Sequence, residues 1–79
     1  MESENGRTLT FGEKAVGLSF NPSSDPLVHE LKTLYAKIID RLDSERGDEG
    51  RSERHRLLSI AITEAQGAQM WTVKAATWR

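Results

Sequence analysis

The chain has 79 residues, a formal net charge of -1 and no cysteine. That length allows one domain near the lower limit of independent stability, and the missing thiols exclude disulfides and thiolate metal sites as staples. The charge balance argues against a protein that lives on the DNA backbone, whose footprint would be a basic excess, and no apolar run approaches the ~18 residues that span a bilayer.

Residues 1–8 read as a polar tail of mixed charge, neither a secretory signal nor a transit peptide, so an intracellular, soluble protein is expected. Residues 9–79 are expected to form a single domain. Its first part, Leu9 to Phe20, mixes large apolar residues with Gly12 and Gly17. It is too short for a full helix, although Glu13 to Val16 can make one turn, and its apolar anchors predict an ordered arm. Asp25-Pro26 is a helix start, with Asp25 as N-cap and Pro26 in the first helical position. From there Val28, Leu31, Tyr35, Ile38 and Leu42 recur at three-four spacing, widened by Leu27, Leu34 and Ile39. This predicts an amphipathic helix ending near Asp43. The charged stretch 44–52 is the turn, and either Ser52 or Asp48 can cap the second helix.

That second helix, running to Ala76 or Trp78, has almost no polar side. Ala61, Ala65, Ala68 and Ala75 form a small-residue stripe, Leu57, Ile60, Gly67, Trp71 and Trp78 a second, and Ile62, Gln66, Gln69 and Val73 a third. A surface helix normally carries one apolar stripe, so cover must come from other copies of the chain. The predicted fold class is all-α: an antiparallel helical hairpin preceded by an ordered arm and assembled into a homo-oligomer.

Chemistry by turnover has little support. His29 and His55 lack a second ligand at metal-binding spacing, and Ser59, Thr63 and Glu64 have no partner base or nucleophile in view. No metal or cofactor is expected, and the protein is not expected to be an enzyme. Phosphate binding is better represented. In Thr10-Phe11-Gly12-Glu13-Lys14 a glycine lets backbone amides approach a ligand beside the lysine, and Arg51, Arg54 and Arg56 stand at a helix start. Among acidic neighbours such a cluster is more often a solvated face. Lys32 and Lys74 lie on apolar or mixed faces, where lysines commonly snorkel. Phe11 and Phe20 can stack on a base or plug a neighbouring subunit, while Tyr35 reads as core.

Thr10-Phe11-Gly12-Glu13-Lys14-Ala15-Val16-Gly17, Phe20-Asn21-Pro22-Ser23, Ala61-Ile62-Thr63-Glu64-Ala65-Gln66 and the run from Gln69 to Trp78 resemble one family of small phage proteins. These are the anti-CBASS and anti-Thoeris sponges of the helical-hairpin type. The resemblance implies hexamers with pockets between protomers that sequester cyclic dinucleotides, cyclic trinucleotides or cyclic ADP-ribose isomers in the cytoplasm of the infected host. It implies no cleavage, no membrane and no nucleic acid polymer as partner. Lys32 matches a phosphate-contacting lysine of relatives, and Thr63, Gln66, Met70 and Lys74 match the second-helix pattern. Some relatives carry tyrosine-arginine where this chain has Phe20-Asn21. Gly12, Lys14, Asn21 and Arg56 join the candidate ligand residues on phosphate and base chemistry, and Phe11 and Phe20 as stacking surfaces. The rivals are a small structural helical assembly and, more remotely, a nucleic-acid-binding regulator using Arg51, Arg54 and Arg56.

Overall fold

The computed structural model describes residues 3–4, 7–48 and 50–79. The N-terminal stretch, read as a featureless polar tail, holds two paired dipeptides. β1 (Ser3–Glu4) and β2 (Arg7–Thr8) lie antiparallel, with Ser3 opposite Thr8 and Glu4 opposite Arg7. Among the described residues all other regular structure is helical: α1 (Phe11–Ala15), α2 (Pro26–Arg46) and α3 (Glu53–Ala76).

Local chemistry explains each helix boundary. α1 begins with a capping box: the Glu13 amide donates to Thr10 Oγ1 at 3.1 Å, and the Thr10 amide donates to Glu13 Oε1 at 2.9 Å. The single turn expected at Glu13–Val16 therefore starts two residues earlier. At α2 the Leu27 amide donates to Asp25 Oδ1 at 2.9 Å, with Pro26 at the first position. This helix outlasts the expected end near Asp43 by about a turn. It closes at Gly47, whose φ of 62° suits a residue without Cβ. Ser52 is the cap of α3, accepting from the His55 amide at 3.0 Å. That decides between the two cap candidates.

α2 and α3 form the antiparallel hairpin. Ile39 is fully buried at its centre, with Val16, Leu18, Ala36 and Ile62 around it and Tyr35, Leu42 and Ala65 at the margin. Tyr35 is thus a half-buried edge of the core, its hydroxyl 3.1 Å from Thr72 Oγ1 across the hairpin. Near the turn, Arg46 donates to Ser59 Oγ at 3.2 Å, and Arg54 reaches both the carbonyl and the carboxylate of Glu45 at 3.0 Å.

The α2 stripe is rotated relative to the sequence expectation. Val28, Lys32, Ala36 and Ile39 are buried, whereas Leu27, Leu34 and Ile38, placed on the apolar stripe by spacing, are about half exposed. The cause is α1 with the turn that follows it: the segment packs along α2, Val16 and Leu18 joining Ala36 in the core and the Gly17–Phe20 turn covering Lys32. Gly12 allows this closeness: a Cβ there would run into the Ala36 carbonyl. The molecule measures 42 × 30 × 15 Å. Helix axes pack about 8–10 Å apart, so its thin dimension holds at most two helix layers. α3 and the residues after it are left with a broad uncovered surface in which Met70 is 68% exposed, Trp71 72% and Trp78 71%.

Candidate functional site

The open end of the hairpin, where α2 begins and α3 finishes, carries a concavity. Its walls are the loop from Phe20 to Asp25, the first turns of α2 and the last turn of α3. It measures about 450 Å³, within the ordinary range for small-ligand sites. Val28 and Val73 supply apolar floor, Ser23 and Thr77 hydroxyls, and Arg79 a guanidinium, while the Phe20 ring is 73% exposed.

The loop is internally tied. Asn21 Nδ2 donates to the Asp25 carbonyl at 2.9 Å, and the Asp25 amide donates back to Asn21 Oδ1 at 3.1 Å. The Ser24 amide bonds to the Asn21 carbonyl at 2.9 Å, with Ser24 at a φ of 50°, an uncommon conformation for a residue other than glycine. Asp25, the only side-chain carboxylate among the described residues lining the cleft, is engaged as the helix cap. Thr77 Oγ1 donates back to the Val73 carbonyl at 2.9 Å.

Lys32 lies under this loop and is 5% exposed. Its ammonium donates to the carbonyls of Gly17 at 2.9 Å and Phe20 at 2.5 Å, and sits 5.6 Å from the Phe20 ring centroid. Burial draws its pKa below the ordinary lysine value, because desolvation disfavours the charged form.

A second, shallower concavity of about 310 Å³ lies on α3 between Gly67, Met70, Trp71 and Lys74. The Lys74 ammonium stands 5.7 Å from the Trp71 ring centroid. Gly67 has open space where a Cβ would be. Among the described residues nothing requires glycine there, although it weakens a helix by roughly 0.5–1 kcal/mol relative to alanine.

The ten residues singled out from sequence divide by place. Phe20, Asn21 and Lys32 meet at the first cleft, and Met70 and Lys74 at the second. Phe11 is at the other end of α1, its ring 5.7 Å from the Arg46 guanidinium carbon. Gly12 is buried, and its amide donates to Asp40 Oδ1 at 2.7 Å. The close approach it permits is to α2, not to a ligand. Lys14 and Thr63 are exposed and line neither cleft. Arg56 is held by Glu53 through bonds of 2.9 and 2.6 Å, which keep the Glu53 carboxyl below its usual range. With Arg54 on Glu45 as well, two of the three arginines at the α3 start are neutralised locally.

Sequence reasoning missed Val28, Ser23, Val73, Thr77 and Arg79 as cleft residues, and Gly67 and Trp71 as walls of the second hollow. Only Gly67 carried a usable local signal, being a glycine inside a strong helix pattern. Among the described residues no cluster of histidine and carboxylates is arranged to hold a metal, and no helix is long and apolar enough to cross a membrane.

No curated protein and no solved structure matches the chain. A family model described as "Acb2/Tad1, hairpin domain" does, over residues 13–77, which takes in both long helices and most of the first cleft. The chain belongs to this family, that of the anti-CBASS and anti-Thoeris sponges.

Proposed function

We propose that the protein is a phage anti-defence sponge that captures cyclic nucleotide messengers reversibly, without cleaving them, in the cytoplasm of the infected host. Membership of the family over residues 13–77 carries the proposal. The first cleft supports it with an exposed aromatic face, a guanidinium and an apolar floor, which suit a base and its phosphate. Asp25, the carboxylate among the described lining residues, caps α2 through Oδ1, and the described residues offer contacts for binding. The ligands proposed are cyclic dinucleotides, cyclic trinucleotides or cyclic ADP-ribose isomers. Phe20, Asn21 and Lys32 serve at the first cleft and Met70 and Lys74 at the second.

We further propose that the working form is a homo-oligomer, a hexamer as in relatives. The support is the uncovered surface of Met70, Trp71 and Trp78 together with Gly67, whose missing side chain serves no contact among the described residues. Second copies would roof clefts that one protomer leaves open.

Titration calorimetry with a panel of cyclic dinucleotides, cyclic trinucleotides and cyclic ADP-ribose isomers tests binding. Chromatography after denaturing the complex tests capture, and intact messenger is expected. A linearised product accumulating with time would show turnover instead. A chain that binds none of the panel yet remains a defined oligomer would be the structural assembly protein. Arginines paired with Glu45 and Glu53 speak against the nucleic-acid regulator.

A further inference from the structure

The row that α2 turns away from α1 is itself apolar. Leu27, Leu34 and Ile38 are about half exposed, and Leu31 between them is part-buried. Ala36, which Gly12 of α1 covers, is two residues from both Leu34 and Ile38. At about 100° per residue the row therefore faces almost directly away from α1.

The hydrogen bond between Tyr35 and Thr72 shows what lies beside this row. Lys32, Ile39 and Gln69 are buried, so the solvent side of Tyr35 holds its other neighbours Leu31 and Ile38, and that of Thr72 holds the exposed Ala68 and Ala75. One face of the hairpin is thus a ridge of large side chains on α2 beside a furrow of small ones on α3.

Ridge and furrow match in register. The helices are antiparallel and Tyr35 stands about level with Thr72, so each step along α2 is a step back along α3. Arg46, which reaches Ser59 near the other end, keeps the same correspondence. Ile38 then lies beside the level of Ala68, and Leu31 beside that of Ala75. A second copy related by a two-fold axis parallel to the helices places its α3 over this α2 at unchanged levels. Large side chains meet small ones, and every adjacent pair of helices is antiparallel. With 21 residues α2 is about 31 Å long, and two helices about 10 Å apart make a face roughly 20 Å wide. The pair would bury on the order of 1,200 Å² in total, enough for a specific interface.

We infer that the leucine row of α2 and the alanine row of α3 together form a two-fold interface with a second copy of this chain. This deepens the homo-oligomer proposed above and rests on it.

The test is disulfide trapping, for which the absence of cysteine gives a clean background. Ile38→Cys/Ala68→Cys, oxidised with glutathione disulfide, is expected to run as a covalent dimer and nothing larger on a non-reducing gel. Peptide mapping should join position 38 of one copy to position 68 of the other. Each single variant, and Lys14→Cys/Thr63→Cys at exposed positions off this face, should remain unlinked. Linked Ile38→Cys alone would put α2 over α2, and a ladder of larger masses would mean a contact that does not close. Either result, or no more linkage than in the control pair, overturns the inference.

A packing exchange gives a second reading. Ala68→Leu fills the furrow and should raise the concentration at which the assembly dissociates about tenfold or more, read by light scattering on dilution. Adding Ile38→Ala, which swaps large and small, should restore it. An unchanged mass in the first variant or no recovery in the second overturns the inference as well. An oligomeric wild-type mass combined with such a failure leaves the homo-oligomer standing on another face. A monomeric wild-type mass fails both proposals.

Discussion

Arg79 is the exposed cation among the residues lining the first cleft, since the Lys32 ammonium is directed at two carbonyls. An anionic ligand that meets Arg79 should lose affinity in Arg79→Gln, by several-fold at low salt and less as salt screens the interaction. Calorimetric titration at two ionic strengths measures this, and an unchanged salt response would remove Arg79 from the site. Gly12 gives a different kind of prediction. A methyl at that position meets the Ala36 carbonyl and lies 2.9 Å from Asp40 Oδ1, so α1 must shift away from α2. Gly12→Ala should destabilise the chain by about 1–3 kcal/mol, as overpacking commonly does. Urea unfolding at fixed protein concentration reads the loss, and an unchanged midpoint would mean that α1 is not docked as described.

At the scale of elements, helix starts were readable because a cap is a contact between near neighbours in sequence. Asp25 with Pro26 identifies the beginning of α2 without reference to any other part of the chain. The capping box of α1 was equally local, in Thr10 and Glu13, yet the surrounding glycines obscured it. Ser52 and Asp48 offered equivalent chemistry, and the difference between them is where the backbone leaves α2 at Gly47. Ser52→Ala should cost about 1 kcal/mol, lowering the melting temperature by roughly 4–8 °C for a domain of this size. Circular dichroism melts of the two chains at equal concentration make the comparison. The face that α2 buries was not local. Periodicity assigned Ile38 to the interior, whereas the docking of α1 moved the buried stripe toward Lys32 and Ala36.

For the whole molecule, the decisive property is thinness. With room for at most two helix layers, one protomer leaves Met70, Trp71 and Trp78 in water, alongside the exposed Ala68 and Ala75. A charge at Ala68 is harmless to an isolated protomer, because that position is already exposed. In a packed interface between copies it would be an unpaired buried charge, costing about 3–5 kcal/mol. Ala68→Glu is therefore expected to keep its helical circular dichroism while light scattering reports a smaller mass. A variant with both helicity and mass unchanged would place the interface elsewhere.

The sequence alone determined the two long helices, their antiparallel pairing and the family, since these depend on apolar spacing, caps, a polar turn and motif order. It also exposed α3 as a helix with too little polar surface to stand alone. The tertiary structure decided which candidate residues share a site. The first cleft joins residues 20–28 with residues 73–79, and no local pattern records that meeting. It likewise decided the environment of Lys32, a cation by sequence and, in the fold, a buried donor to carbonyls 12 and 15 residues away. Composition and spacing specify how a segment pairs with its neighbours in sequence. The partners of a buried charge are set by which distant segment packs over it, and here that segment is α1 with its turn.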